Sequence, residues 1–225
     1  NPLKRKLSMN EFQNVHVLPK TAYLSYLHTK IREKSASQQT FNTYSNQVIR
    51  QLLIHAAELL QFNYKDVTTP IGDIYQGYDL KTGVCGVSVI RAGESMEPEY
   101  NNMFPGSPVG KILIQRDKVS KLPSYYYSHF PADIDKRSVF LFEPMLATGG
   151  SLIKAIETLL ENNVSEQQII VVNFLASPEG LDRVVTKFPN LKIVTSSIEE
   201  GMNEHAYMKP GIGDFGDRYF GTYSK

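Results

Sequence analysis

Two kinds of apolar run alternate along most of the chain. Residues 84–90, 109–115, 139–142, 168–175 and 191–195 are nearly continuous in apolar or small side chains, as strands covered on both faces should be. Between and after them, residues 152–160 and 180–188 repeat their apolar positions at helical spacing. Ahead of these runs, Thr21 is placed to cap a helix reaching about Lys34, with Leu24, Leu27 and Ile31 on one face. After the polar break 35–39, Phe41, Val48, Ile49, Leu52, Leu53 and Ala56 predict a second helix from about Thr40 to Gln61. Residues 64–82 turn to β character around Pro70 and Gly72, which predicts an edge hairpin. Residues 116–137 are long, polar and rich in Tyr, Ser and Lys; they read as a functional or lid loop, part of which can form a hairpin around Ser124–Tyr127.

Strands alternating with helices predict an α/β fold with a central, mostly parallel sheet. Ligands of such sheets bind at the carboxyl ends of the strands. Arg91, Arg116 and Glu143 each follow directly on, or close, a predicted strand, so all three belong to that edge.

At 225 residues the chain fits one such domain, with residues 1–20 as an N-terminal arm and 21–225 as a single domain. A net charge of +1 gives no global electrostatic case for nucleic acid or an anionic membrane, and leaves room for a local basic pocket. The single cysteine, Cys85, excludes an internal disulfide framework and suits a cytoplasmic location. No apolar run is long enough for a membrane span. The histidines have no metal-ligand spacing, and His205 reads as structural or as an oligomer contact rather than as a general base.

Three stretches at the sheet edge carry candidate chemistry. Glu143 ends a strand, and Thr148-Gly149-Gly150-Ser151 opens a helix. The first amides of a helix lack internal partners and hold phosphate well, while an acid at the strand end accepts from sugar hydroxyls. The same turn is also compatible with an ordinary strand-to-helix connection in which Ser151 is the cap. Arg91 precedes a helix start at Ala92-Gly93 and is placed either to bind pyrophosphate in a bidentate manner or to make a surface salt bridge. Gly211-Ile212-Gly213-Asp214-Phe215-Gly216 satisfies G-x-G-x-x-G, but the βαβ context of a dinucleotide site is missing. The run Tyr125-Tyr126-Tyr127 reads as a base-stacking platform, as packing or as a subunit contact.

Glu143-Pro144-Met145-Leu146-Ala147-Thr148-Gly149-Gly150-Ser151 resembles the 5-phosphoribosyl-1-pyrophosphate (PRPP) motif of type I phosphoribosyltransferases, in the form found in uracil phosphoribosyltransferases. Glu143 stands where that family usually has Asp. Residues 85–96 and 110–117 are similar to the family's two arginine-bearing stretches, and Tyr207–Thr222 to its uracil-binding signature. The resemblance runs from about Val15 to Thr222, with Lys118 and Lys209 as further departures.

The resemblance implies the type I phosphoribosyltransferase fold with an N-terminal helical arm and a C-terminal hood. It also implies pyrimidine salvage, in which uracil and PRPP give UMP and pyrophosphate. It assigns PRPP to Arg91, Arg116, Glu143, Pro144, Met145, Leu146, Ala147, Thr148, Gly149, Gly150, Ser151 and Asp214, and uracil to Met208, Gly213, Asp214 and Phe215. Asp214 and Arg116 are the catalytic candidates, and Mg²⁺ is the expected cofactor, held mainly by PRPP and water. GTP is an expected activator, and a homodimer or homotetramer the expected assembly. The competing reading is a catalytically inactive nucleotide-sensing or scaffolding relative. Loss of Thr-Gly-Gly or of Gly-Asp would favour it, and neither is lost.

Overall fold

Strand β1 (Val15–Val17) joins the edge of the main sheet, pairing in parallel with a strand near the far end of the chain. The computed structural model describes residues 13–116 and 123–223, so the basic segment 2–6 and Lys118 lie outside the described residues. Thr21 then caps α1 (Ala22–Arg32), its hydroxyl accepting from the Leu24 amide at 3.1 Å. The buried face of α1 contains Leu24, Leu27 and Ile31, the three positions at helical spacing.

Helix α2 (Gln38–Ala57) begins two residues before the expected start because Ser37, within the polar break, caps the Thr40 amide. It also ends earlier, and the turn after it carries the chain into β2 (Phe62–Thr68) and β3 (Ile74–Leu80). These two form the expected hairpin but not on an edge of the main sheet: they pair only with each other. Every residue of β2 is exposed, as are Tyr64, Ile71, Ile74, Tyr75 and Tyr78.

The central strand β4 (Val84–Ile90) leads through a 3₁₀ turn at Ala92–Met96 into α3 (Glu97–Met103) and β5 (Val109–Arg116). Beyond the undescribed residues 117–122 comes β6 (Pro123–His129), antiparallel to β5. Residues 123–129 of the expected loop 116–137 are therefore a strand of the sheet, in line with the hairpin allowed around Ser124–Tyr127. Its three tyrosines are exposed.

Next come β7 (Ser138–Phe142), the two-residue β8 (Met145–Leu146), α4 (Gly150–Glu161), β9 (Ile169–Ala176), α5 (Pro178–Lys187) and β10 (Lys192–Ile198). The sheet order is β1-β10-β9-β7-β4-β5-β6, parallel throughout except for β5 with β6, and β8 also pairs with β9. The register sets Val87 beside Leu141 and Leu141 beside Val171, which aligns the carboxyl ends of β4, β7 and β9.

Side chains of β7 alternate between two cores with the period of a strand. Phe140 and Phe142 join Phe41, Leu52 and Phe174 in the layer of α1 and α2, while Val139 and Leu141 join Ile156, Leu159 and Val184 in the layer of α4 and α5. Each fully buried side chain of this size contributes about 1.5–3 kcal/mol relative to exposure.

The chain closes with β11 (Gly201–Met202), β12 (Met208–Lys209) and α6 (Phe215–Phe220), which stand over the carboxyl edge as the C-terminal hood. Among the described residues no helix is long and apolar enough to cross a membrane.

Candidate active site at the carboxyl edge of the sheet

A cavity of about 340 Å³ lies where three remote segments meet. Arg91 and Ala92 enter from the end of β4, Met145 and Ala147 from beyond β7, and Met208 with residues 211–216 from the hood. Of the residues expected at the site, this brings together Arg91, Met145, Ala147, Met208, Gly213, Asp214 and Phe215. Glu143, Pro144 and Leu146, and Thr148 to Ser151, continue the same β7–α4 connection without lining the cavity. Arg116 ends β5 at this edge, and its side chain lies outside the described residues.

The β7–α4 connection is built to present donors. The carbonyls of Leu146, Ala147 and Thr148 all accept hydrogen bonds from the α5 side: from the Ser177 amide at 2.8 Å, the Ser177 hydroxyl at 2.6 Å and Arg183 Nη1 at 3.2 Å. The close approach of α5 depends on Gly180, where a Cβ would meet the Ala147 carbonyl oxygen at 2.3 Å. With its acceptors spent on α5, the turn offers the first amides of α4 to an anion. The helix starts at Gly150, and its N-cap is Gly149, with φ +79° and no side-chain cap bond. Ser151 is therefore inside the helix, and its reading as the cap is corrected.

Arg91 is engaged by the hood. Its Nη2 donates to Asp217 Oδ1 at 2.8 Å, its Nη1 donates to the Thr222 hydroxyl, and the guanidinium lies 5.5 Å from the Phe220 ring centre. The Arg91 hydrogen bond, with a second from Thr222, holds the Asp217 carboxyl below its usual range. Of the two alternatives raised for Arg91, the surface salt bridge is present, made by a residue that also lines the cavity. A solvent-exposed pair of this kind is weak, so a polyphosphate can take the guanidinium from Asp217.

Glu143 is the least exposed of the candidate acids, at 8%. Burial pushes its carboxyl up to about 8, against an opposing hydrogen bond from the Met145 amide. Its backbone carbonyl accepts from Asn173 Nδ2 at 2.9 Å, and the same amide reaches the Pro144 carbonyl at 3.1 Å. Asn173, wholly buried on β9, thereby fixes the start of the connection.

In the hood, Asp214 is the N-cap of α6, and its Oδ1 accepts from the Asp217 amide at 2.8 Å. The Phe215 ring is turned into the core, 5.4 Å from Phe41 and 5.2 Å from Phe174. Arg218 donates to the carbonyls of Ile31 at 2.7 Å, Ile212 at 2.9 Å and Glu33 at 2.9 Å, with Phe41 beneath its guanidinium at 4.4 Å. Lys209 is exposed, so this departure from the family pattern faces solvent. Exposed His205 has Glu204 as its near neighbour, at 3.5 Å.

Sequence reasoning did not reach Arg32, Asn173, Glu199 or Arg218, all of which hold backbone at the site. Most of their partners are distant along the chain, and the one signal available was a polar or charged side chain that has to be paired once buried.

For a divalent ion the donor set is sparse. Among the described residues no three His, Cys, Asp or Glu side chains cluster, and Asp214 is the acidic side chain on the cavity wall. This set fits Mg²⁺ carried by a polyphosphate and water, because that ion keeps several waters and takes one or two carboxylates.

A parallel sheet with a donor turn, an arginine and a glycine-rich hood at its carboxyl edge defines the phosphoribosyltransferase class. The fold matches an adenine phosphoribosyl transferase from Trypanosoma brucei, with a TM-score of 0.51 at 14% identity over 89% of this chain and 88% of that one. The match is fuller to the AQ2163 protein of Aquifex aeolicus: a TM-score of 0.82 and 26% identity over 94% of this chain and all of that one, 100%. The model of the family described as uracil phosphoribosyltransferase matches residues 17–222, and the chain belongs to that family. The uracil phosphoribosyltransferase of Dictyostelium discoideum is 44% identical over 210 residues, 93% of this chain and 97% of that one.

Proposed function

We propose that this chain transfers the 5-phosphoribosyl group of PRPP to N1 of uracil, giving UMP and pyrophosphate. The carrying observation is the meeting of Arg91 and the 211–216 segment in one cavity, next to a turn whose carbonyls are all turned away. The bond between the anomeric carbon and pyrophosphate breaks as the bond to N1 forms. Negative charge grows on the leaving group, and oxocarbenium character on the sugar. The site therefore has to neutralise the first and hold the base in line with the second.

Arg91 and Arg116 are assigned to the pyrophosphate and Glu143 to the ribose hydroxyls. The amides and hydroxyls of Thr148 to Ser151 take the 5′-phosphate. Met208, Gly213, Asp214 and Phe215 face uracil, Phe215 through its backbone because its ring belongs to the core. Alternating N–H and C=O groups of a rigid loop match the alternating acceptors and donors of the pyrimidine edge. Mg²⁺, when bound with PRPP, supplies charge neutralisation at the pyrophosphate. Asp214, an exposed carboxylate on the cavity wall, would hold that ion through water.

The sensing or scaffolding alternative finds no support in relatives named as the enzyme. Self-association into a homodimer or homotetramer is part of the proposal, supported by the free-standing and exposed β2–β3 hairpin. Activation by GTP and a cytoplasmic location complete it. The first rests on the family resemblance and the second on the lone cysteine, Cys85.

The test is pyrophosphate release from PRPP with Mg²⁺, with and without uracil, and with UMP identified as product. Uracil-dependent release that a chelator stops supports the reading; release that ignores uracil, or none, overturns it. Adding GTP to the same assay tests the activator.

A further inference from the structure

The segment that forms one wall of the cavity has an anchor made of residues outside the cavity lining. Gly211 donates its amide to Glu199 Oε2 at 2.8 Å, and its carbonyl accepts from Arg32 Nη1 at 3.0 Å. The two side chains are themselves joined as a fork, Nη1 to Oε2 at 2.8 Å and Nη2 to Oε1 at 2.7 Å. Ser197 adds a bond to Oε1 at 3.0 Å. Both polar groups of one residue are thus held by one ion pair.

The pair is fixed to rigid elements. Arg32 is the last residue of α1, and the Glu199 amide donates to the Ala176 carbonyl at 2.8 Å, where β9 ends. The Glu199 side chain is 1% exposed. Burial alone would raise its carboxyl, yet the bonds from Arg32, Gly211 and Ser197 outweigh burial and hold it below its ordinary value. A buried carboxylate whose oxygens accept from Arg32, Ser197 and Gly211 is held in place by charge-assisted hydrogen bonds.

Gly211 needs such a point. Its φ is +67°, and a Cβ there would stand 2.2 Å from the Met208 carbonyl oxygen, so only glycine fits the turn. Glycine is also the residue with most freedom to leave that conformation. Movement at Gly211 would redirect the backbone groups of Ile212, Gly213 and Asp214, which follow it along the cavity wall.

We propose that Glu199 and Arg32 are positioning residues for the acceptor base: without touching it, they set the direction of the backbone groups at 212–214 that read it. The inference rests on the uracil reading given above. It predicts that losing the pair affects the base far more than PRPP, because the PRPP turn is held separately by Ser177, Arg183 and Asn173.

Glu199→Gln keeps volume and an acceptor but sets an amide N–H₂ against the guanidinium. The expected result is a rise of about tenfold in KM for uracil, with KM for PRPP changed less than about twofold. Exchange of the Gly211 amide with solvent should accelerate by about tenfold or more. The charge-reversed double variant, Arg32→Glu with Glu199→Arg, restores the ion pair but cannot accept from the Gly211 amide. It should recover thermal stability relative to either single change while KM for uracil stays raised. Arg32→Lys, which loses the fork but keeps the charge, serves if Glu199→Gln does not fold, and it should show the same split in milder form. Unchanged KM for uracil with unchanged Gly211 exchange overturns the proposal, as does a double variant that recovers wild-type KM. Wild-type protein that releases no pyrophosphate with uracil refutes the function instead, and the exchange measurement then still decides whether the pair anchors the segment.

Discussion

Asp214 Oδ1 accepts the backbone amide of Asp217 at 2.8 Å, so the acid at the cavity is also the cap of α6. Asparagine caps a helix about as well as aspartate. Asp214→Asn should therefore leave the thermal midpoint nearly unchanged while turnover falls by about 10²-fold, the scale for losing one oriented polar group. Steady-state rates paired with a melting curve check this, and near wild-type turnover removes the residue from the mechanism.

Glu143 ties stability to pH in an unusual direction. Its carboxyl titrates near 4.5 in an ordinary setting and at about 8 when buried in the fold. Between these values the folded protein binds the extra proton. The contribution is therefore complete below 4.5 and is lost as pH rises toward 8. Glu143→Gln has a similar shape and no proton to lose, so its thermal midpoint should fall less than that of wild type between about pH 5 and about pH 8. In the same variant PRPP should bind more weakly by titration calorimetry; equal affinity would mean that the ribose is held elsewhere.

Gly180 gives a test of the donor turn from outside the cavity. A methyl group there meets backbone rather than a flexible side chain, so relief requires the 146–148 turn to move. Gly180→Ala should cost about 1–3 kcal/mol of stability by overpacking, measured by denaturant unfolding. It should raise KM for PRPP more than KM for uracil. Equal effects on both would place the strain elsewhere in the fold.

The β2–β3 hairpin bears on assembly. Ile71 is 84% exposed and Ile74 61%, so replacing both with lysine removes little packing within the chain. Sedimentation of the double variant should give a smaller species than wild type at equal concentration. An unchanged mass would exclude the hairpin from the interface.

Much of this architecture was legible because its signals are local. The apolar runs of β4, β5, β9 and β10 mark the strands to within a few residues, and Thr21 marks the start of α1. The motifs marked segments that meet at the cavity, while the helix start at Gly150 lies ahead of the Ser151 cap reading. What stayed hidden depends on pairing and packing that no local run announces. β8, β11 and β12 are two residues each and exist only through pairing. Of the stretch 116–137, residues 123–129 form β6, the hairpin strand allowed around Ser124–Tyr127; its tyrosines stand on an edge strand exposed to water, without the apolar run of a buried one. Motif position places Phe215 at the base, and the residue lines the cavity; that its ring packs against Phe41 and Phe174 is what the motif does not reveal.

Arg218 binds the carbonyls of Ile31 and Glu33 at the end of α1 and that of Ile212 in the hood. On the uracil reading proposed above, the 207–217 loop is therefore not a portable cassette. Transplanting residues 207–217 alone into another phosphoribosyl scaffold would carry the reading surface and leave its foundations behind. On that reading a working graft has to bring residues 199–218 together with the last turn of α1, so the unit that would set base choice is spread over two widely separated pieces of the chain.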